Sequence, residues 1–410
     1  MPPPRAPGLN LELRIQLWSY NYEPEPTGIA PLSSAWAIEM HSLGHEVDVV
    51  AAHPHYPEPL WGSRLRPYVE ERHGVRVLRL PIWVGRQTSA QRLRQELSFT
   101  SAATAALPFL GKADVVVAVS PSFPALVPAM LHARAGRTPW VLWLQDLLPE
   151  GAVVTGLIKP GRVLTAARWL ERTAYRSTSH IIAISETFRD YLLSAGVPAE
   201  RITRLYNPAT LSLGRRSELD ETLRQPRVLC MGNIGHSQGL VEIVSALHQE
   251  DQRTPIGARL EIAGTGVAAT EVRAVAREPL VEMPGLLQGA DLERSLGRAT
   301  LGAVTQRYEG TEFNVPSKLM NYFACGIPVV ASVRPHSEVA RLIETSGAGW
   351  VTDAGEPAAF ARAVRDALSD PAALKVRSEA ALEYAQREFA PRGLARQAEA
   401  VLRGVLSSHA

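Results

Sequence analysis

The sequence has few cysteines and no long uninterrupted apolar run. Only Cys230 and Cys325 are cysteines among its 410 residues. The first lies in an apolar, strand-like run and the second follows a helical pattern, so the pair fits neither a disulfide framework nor a zinc site. The most apolar stretch, about 105–131, is interrupted by Lys112, Asp114 and several prolines. These absences predict no membrane-spanning helix and favour a cytoplasmic protein.

An excess of charge of one sign is also missing. The formal net charge is +2, from 43 basic and 41 acidic residues. A nucleic-acid partner is therefore not expected, because phosphate binding needs a concentrated basic face and no RNA- or DNA-binding motif is present. The apolar content of 46% is ordinary for a globular protein. The length exceeds that of one ordinary core and predicts two domains.

Several signatures of cofactor and hydrolase sites are absent. The loop after the first apolar run contains Gly28 but not the G-x-G-x-x-G spacing of dinucleotide sites, so NAD binding is not predicted. Gly28 either lets a ligand approach the backbone or serves as a turn glycine. No Walker loop and no G-x-S-x-G elbow occur. His53-Pro-His55 has no cysteine or acidic partner at ligand spacing, which predicts no metal site.

Apolar runs of strand length alternate with helical patterns along the whole chain. Such alternation predicts an α/β protein of two Rossmann-like domains facing across a cleft, residues 1–207 and 208–388, with a linker near 208–225. From Glu356 the pattern is helical, and residues 389–410 predict a final helix that packs back on the first domain. Strands are expected near 11–19, 46–52, 75–81, 113–119, 139–145, 180–185, 226–232, 258–264, 280–283, 300–305, 328–332 and 349–352.

The segment 312–331 predicts a short helix that begins after a loop and leads into a buried strand. Asn314 suits the N-cap position and Pro316 the first turn. Ser317 and Lys318 then offer backbone N–H groups, a hydroxyl and an ammonium to an anion, such as a phosphate or diphosphate. The alternative is an ordinary capped helix whose lysine is solvated.

A second candidate phosphate site follows the first apolar run of the second domain. Gly232, Asn233 and Gly235 lie in a loop that leads into a helix, a geometry in which backbone amides can cradle phosphate. Gln238 can donate a hydrogen bond there. Gly264, with Gly266, predicts another tight turn after the next strand.

Two carboxylates follow a central apolar strand of the first domain. Asp146 and Glu150 come directly after the run Val141-Leu142-Trp143-Leu144. The carboxyl ends of parallel strands are where α/β sheets bind ligands, so this position favours substrate contact or acid–base work. Asp146 can equally cap a loop.

These segments, taken in order, resemble the family-4 retaining glycosyltransferases of GT-B fold. More narrowly, they resemble the colanic-acid and O-antigen type enzymes that build bacterial surface polysaccharides. Pro316-Ser317-Lys318 in its setting is the most specific match. The resemblance extends over nearly the whole chain, through the Gly28 loop and residues 145–150, 182–186, 206–208, 232–235, 316–318 and 324–330.

The resemblance implies a nucleotide-sugar donor held mainly by the C-terminal domain, an acceptor held by the N-terminal domain, and no metal or other cofactor. It assigns the donor diphosphate to Lys318 and the Gly232–Gly235 loop, aided by Gln238, where many relatives carry a basic residue. Asn321 stands where the broader family has the second glutamate of a Glu-x7-Glu pair, at the ribose hydroxyls, and Phe313 stands where it has the first.

The resemblance also implies three catalytic residues. Glu312 would contact the sugar hydroxyls, Asp146 would face the transferred sugar or the acceptor, and Lys318 would stabilise the leaving diphosphate. We therefore predict metal-independent, retaining sugar transfer to an acceptor hydroxyl in cell-surface polysaccharide or glycoconjugate biosynthesis. Two alternatives stay open: a nucleotide-sugar 2-epimerase, and a non-catalytic sugar-nucleotide-binding subunit of a transferase complex.

The acceptor expected from this resemblance is a lipid-linked or small glycan, which suggests peripheral contact with the cytoplasmic face of the inner membrane. Residues 86–99 carry three arginines ahead of an apolar continuation. Such a segment predicts either an interfacial helix or a solvated helix of the first domain.

Overall fold

The computed structural model describes residues 12–26, 28–56, 61, 65–85, 88–120, 123–146, 161–210, 223–307 and 316–409. The chain divides into two compact units. Unit 1 contains the residues up to Tyr206 together with those from Pro391, and unit 2 is Asn207–Ala390.

Unit 1 is built on a sheet with the strand order β3-β4-β2-β1-β5-β6-β7-β8. The central strands β5 and β6 are buried along their whole length, as expected for parallel strands covered on both faces. The strands are β1 (Arg14–Trp18), β2 (Glu46–Ala52), β3 (Tyr68–Arg72), β4 (Val75–Leu80), β5 (Val115–Val119), β6 (Trp140–Leu144), β7 (His180–Ala183) and β8 (Ile202–Arg204). The helices between them are α1 (Ala30–Ser42), α2 (Ser89–Ala106), α3 (Phe123–Gly136), α4 (Arg162–Ser177) and α5 (Glu186–Ser194).

Unit 2 is a parallel sheet with the strand order β11-β10-β9-β12-β13-β14. Its core lies between this sheet and its helices, around Val228, Ile262 and Val330. The strands are β9 (Arg227–Met231), β10 (Arg259–Ala263), β11 (Val281–Gly285), β12 (Leu301–Thr305), β13 (Val329–Val333) and β14 (Gly349–Asp353). The helices are α6 (Leu240–Arg253), α7 (Ala269–Val275), α8 (Gly289–Arg298), α9 (Ser317–Ala324), α10 (Glu338–Ser346), α11 (Pro357–Leu368) and α12 (Pro371–Glu388).

The final helix, α13 (Pro391–His409), belongs to unit 1 and packs on α1. Its buried face includes Leu394, Ala398 and Leu402. His45 lies beside it, with Nε2 3.4 Å from Oε1 of Glu399. Burial lowers the pKa of His45 although the neighbouring carboxylate acts to raise it. Among the described residues, no helix is long and apolar enough to cross a membrane.

The predicted α/β class is confirmed, and every strand expected from an apolar run is present. Two edge strands, β3 and β8, were not predicted. β3 contains Glu70, Glu71 and Arg72, so it lacks an apolar run. It pairs with β4 in antiparallel fashion through a two-residue turn, His73-Gly74, in which both residues have positive φ.

Candidate active site

The glycine-rich loop after β9 is fixed by backbone contacts with the loop after β10. The Gly232 N–H donates to the Ala263 carbonyl over 2.8 Å, and the Ile234 N–H donates to the Thr265 carbonyl over 2.8 Å. Gly232 and Asn233 are exposed. The two loops therefore form one backbone layer at the carboxyl ends of the two neighbouring strands.

This layer requires glycine at two positions of the second loop. A Cβ on Gly264 would lie 1.8 Å from the Gly232 carbonyl oxygen, and one on Gly266 would lie 2.3 Å from the Ile234 carbonyl oxygen. Neither distance is possible without movement of backbone. The sequence predicted a tight turn here, and the structure adds that the turn packs directly against the candidate phosphate loop.

Lys318 lies in the first turn of α9 and is buried, with 9% of its surface exposed. Its Cε is 3.8 Å from the position that a Cβ on Gly232 would occupy, so the side chain runs beside the glycine-rich loop. Within the part of the chain that the structure describes, its ammonium has neither a hydrogen-bond acceptor nor a carboxylate partner. A cation without a protein partner at this place can pair with an anion bound at the loop.

The helix α9 begins later than the sequence predicted. Its N-cap residue is Pro316, with φ −63° and ψ 126°, and no side chain caps it. The predicted N-cap, Asn314, lies outside the described residues, and its assignment was wrong because the helix starts at Ser317. A residue before a proline disfavours the helical region, so a helix is expected to start no earlier than the proline. The predicted terminal glycine is confirmed, since Gly326 has φ +65° and follows the last turn.

Tyr322 ties α9 to the end of β9. Its hydroxyl donates to the Leu229 carbonyl over 2.7 Å and accepts from the Met231 N–H over 3.0 Å. Leu229 is the last residue of β9 that pairs with β12, so the hydroxyl contacts β9 where that pairing ends. The ring packs against Gly302, where a Cβ would come within 2.6 Å of it. Burial raises the pKa of the Tyr322 hydroxyl well above its ordinary value, so it remains a donor.

Replacing Tyr322 by phenylalanine is expected to lower the free energy of unfolding by about 1–3 kcal/mol, because a buried carbonyl and a buried N–H of β9 would both lose their partner. Urea-induced unfolding measures this loss, with the far-UV circular dichroism spectrum as the control for an intact fold. An unchanged midpoint would contradict the structural role of the hydroxyl.

Asn321 makes contacts within unit 2. Its Oδ1 accepts from the Thr210 N–H over 2.9 Å, and its Nδ2 lies 3.3 Å from the Thr210 hydroxyl. The side chain thus anchors the segment that enters unit 2. Its assignment to ribose hydroxyls stays a prediction, and this tie to Thr210 was not visible in the sequence.

The other predicted residues are distributed between the units. Gly235 precedes a 3-10 turn, His236–Gln238, and Gln238 is its last residue, ahead of α6. Ser317 is exposed at the first position of α9. Gly28 and Asp146 belong to unit 1. Gly28 has φ +70° with open space around it, and Asp146 is half-buried directly after β6. Glu312 and Glu150 lie outside the described residues.

His55, one of the histidines considered for metal binding, is engaged in a buried cluster of unit 1. Its Nδ1 is 3.1 Å from Oε1 of Glu25, and its backbone N–H donates to the same oxygen over 2.7 Å. Asn21 donates to the other carboxylate oxygen over 2.7 Å. No group of three or more His, Cys, Asp or Glu side chains among the described residues is arranged to hold a metal ion.

One cation beside the glycine-rich loop was not predicted. The Arg307 N–H donates to the Ser237 carbonyl over 2.6 Å, and its guanidinium pairs with Glu242 in the first turn of α6. The available signal was its position two residues beyond the end of β12, at the carboxyl edge of the sheet.

The two units match two models of protein families. Residues 27–208 match the glycosyl transferase 4-like domain, and residues 225–370 match the glycosyl transferases group 1. The chain is similar to the putative colanic acid biosynthesis glycosyl transferase WcaI of Escherichia coli (strain K12), with 26% identity over 420 residues that cover 94% of this chain and 98% of the relative. It is also similar to the amylovoran biosynthesis glycosyltransferase AmsK of Erwinia amylovora, with 28% identity over 44% of this chain and 45% of the relative.

Two solved structures share the fold. HepE of Anabaena, in complex with UDP, has a TM-score of 0.68 and 19% identity and covers 96% of this chain and 100% of its own. Sucrose-phosphate synthase from Thermosynechococcus elongatus has a TM-score of 0.72 and 16% identity, over 96% and 99%. With both units matched and the two-sheet architecture in place, the chain belongs to the family-4 glycosyltransferases of GT-B fold.

Proposed function

We propose that this glycosyltransferase uses a nucleotide-diphosphate sugar as donor and binds its diphosphate in unit 2. The observation that carries the proposal is the buried side chain of Lys318 beside the exposed glycine-rich loop, with no partner for its ammonium among the described residues. Gly264 and Gly266 support it, because they bring two backbone loops together at the carboxyl edge of the sheet. An exposed backbone loop at Gly232 and Asn233 together with one cation at that edge suits a diphosphate.

The proposed mechanism follows from where charge develops. Breaking the bond between the sugar and the diphosphate sends the electron pair to the leaving phosphate oxygen and leaves positive character on the sugar carbon. Lys318, the start of α9 and the loop amides would stabilise that oxygen. These groups supply the charge that a metal ion would otherwise provide, and on this basis we propose a metal-independent reaction. The acceptor hydroxyl would enter on the face that the diphosphate leaves, with net retention, and would pass its proton to the departing phosphate oxygen.

Roles for the remaining predicted residues stay part of the proposal. Asp146, at the carboxyl end of β6, would face the transferred sugar or the acceptor, and the Gly28 loop belongs to the same unit. Glu312 would contact the sugar hydroxyls. Asn321 would keep an indirect role at the ribose through the segment it anchors at Thr210.

The pathway is inferred from the relatives. WcaI is named for colanic acid biosynthesis and AmsK for amylovoran biosynthesis. We propose a corresponding role in the assembly of a bacterial surface polysaccharide, on the cytoplasmic face of the inner membrane. HepE has been solved with UDP and with UDP-glucose, so UDP-sugars are the first donors to test.

Thermal-shift screening of UDP-, GDP-, ADP- and dTDP-sugars against the full chain tests the donor. The sugar that stabilises the protein is then incubated with glycan acceptors, and nucleotide release and product configuration are measured. Retention of the anomeric configuration supports the proposal. An inverted product, or turnover that requires an added divalent cation, would contradict it.

The same assay separates the two alternatives. An epimerase would change the sugar of the donor without an acceptor, and a binding subunit would be stabilised by donor yet release no nucleotide. Slow donor hydrolysis in the absence of acceptor would exclude pure binding, and a glycosylated product would exclude epimerisation.

An exposed apolar face on α2 supports contact with a lipid-linked acceptor at a membrane. Leu93 and Leu97, one turn apart, are each 56% exposed, and Trp83 beside them is 54% exposed. The Arg94 guanidinium stacks on the Trp83 ring at 3.5 Å. Aromatic and leucine side chains next to arginine are the chemistry of interfacial helices on anionic lipid.

Vesicle flotation tests this contact. The chain is expected to float with phosphatidylglycerol vesicles and not with phosphatidylcholine vesicles, and a Leu93→Glu, Leu97→Glu variant is expected to lose flotation. Replacing Val376, which is also exposed but lies in unit 2, by glutamate serves as the control. Flotation of the double variant at the level of the unaltered chain would contradict the assignment.

A further inference from the structure

The charge of the proposed donor exceeds what Lys318 alone can balance. A nucleotide-diphosphate sugar carries one negative charge on each of its two phosphates, and Lys318 supplies one positive charge. The glycine-rich loop itself contains Gln238, which is neutral. A second cation from another segment would therefore complete the site.

Arg307 is held against this loop from a different strand. It follows β12, and its backbone N–H donates to the Ser237 carbonyl over 2.6 Å. Its Cγ is 3.2 Å from the position that a Cβ on Gly239 would occupy. The side chain thus passes over the residue that precedes α6. Lys318 borders the loop at Gly232 and Arg307 borders it at Gly239.

The guanidinium of Arg307 is held in a pair that is easily exchanged. It donates to Glu242, and this hydrogen bond is the main cause of the lowered pKa of the Glu242 carboxyl. The two side chains are 48% and 42% exposed, respectively. Exposed pairs of this kind contribute little free energy. A diphosphate offers more charge and accepts the planar guanidinium in a bidentate manner, so it can compete with Glu242.

We propose that Arg307 is the second cation of the diphosphate site and that Glu242 holds it beside the loop when no donor is bound. The proposal rests on the proposed function, since it assigns a further residue to the same donor site. Arg307 contacts the donor directly, at the phosphate that a nucleoside monophosphate lacks, and Glu242 competes with that phosphate for the guanidinium.

Replacing Arg307 by glutamine is expected to weaken UDP binding about 10-fold while UMP binding changes less than about 2-fold, because the contact is to the second phosphate. Isothermal titration of the full chain with UDP and UMP measures both affinities. If the donor screen selects another base, the corresponding diphosphate and monophosphate replace them. A ratio of UDP to UMP affinity that is unchanged in this variant would overturn the proposal.

Two further variants separate a ligand contact from a structural ion pair. Glu242→Gln removes the Glu242 ion pair of Arg307 and is expected to bind UDP as tightly as the unaltered chain or more tightly. If it instead lost UDP binding as Arg307→Gln does, the pair would be structural and the proposal would fail. Arg294→Gln breaks a comparable exposed pair with Asp291 on α8 and is the control for loss of one arginine.

A variant that gains a positive charge tests where the second cation contacts the donor. Gln238→Lys, combined with Arg307→Gln, is expected to recover UDP binding to within about 3-fold of the unaltered chain, since it returns one cation to the same loop. Absence of recovery would overturn the location of the contact. Lys318→Ala separates a failure of the Arg307 assignment from a failure of the proposed donor site. If it weakens UDP binding and Arg307→Gln does not, only this inference fails, and if neither does, the proposed donor site fails as well.

Discussion

Replacing Lys318 by alanine is expected to reduce turnover about 30- to 1,000-fold at saturating donor, equivalent to about 2–4 kcal/mol of transition-state stabilisation. Lys318 lies beside Gly232 of the candidate diphosphate site, with its side chain largely buried. Its interaction strengthens as negative charge builds on the leaving oxygen, so kcat falls together with kcat/KM. Steady-state measurement of nucleotide release provides both constants.

The same variant has an unusual expected effect on stability. The Lys318 ammonium has no ion pair or hydrogen bond among the described residues, so its removal is expected to leave the melting temperature nearly unchanged. Lys375→Ala, which removes an exposed lysine from α12, is the control for the charge change. An unchanged kcat, or a large loss of thermal stability in Lys318→Ala, would show that the lysine serves the fold and not the reaction.

Much of the fold was accessible from the sequence because its parallel strands are buried on both faces. Runs such as Val115–Val119 and Trp140–Leu144 are apolar throughout, and burial requires them to be so. β3 was not predicted because it is an edge strand, and a strand with one edge towards solvent tolerates charged residues. Its turn, His73-Gly74, carried a usable signal, since a glycine in a two-residue loop favours a hairpin.

The candidate site was predictable in its local chemistry and not in its long-range contacts. Lys318 and the Gly232 loop were visible because helix starts and glycine-rich turns have local signatures. The hydrogen bond between Thr210 and Asn321 joins residues that are 111 positions apart in the sequence. The hydrogen bond between Arg307 and Ser237 depends on the order of the strands in the sheet. Such pairings are set by tertiary packing, which local patterns do not encode.

Replacing Gly264 by alanine is expected to reduce kcat/KM for the donor by about 100-fold or more, because the added Cβ would push the glycine-rich loop out of its position. The added Cβ would lie 1.8 Å from the Gly232 carbonyl oxygen and 2.9 Å from its carbon. Ordinary contact requires the backbone of one loop to move by about an ångström or more. The hydrogen bond from Gly232 to Ala263 resists that movement.

Gly264→Ala is expected to lower the stability of the fold as well as donor binding. Forcing atoms into a packed site costs about 1–3 kcal/mol, which corresponds to a fall of several degrees in melting temperature for a domain of this size. Gly297→Ala is the matched control, since Gly297 lies in α8 with open space around its Cβ position, and helix propensity there favours alanine by up to about 1 kcal/mol. Donor titration and thermal unfolding of both variants are compared with the unaltered chain. If Gly264→Ala bound donor as well as Gly297→Ala does, the packing of the two loops would not shape the donor site, and Lys318 would have to hold the diphosphate without them.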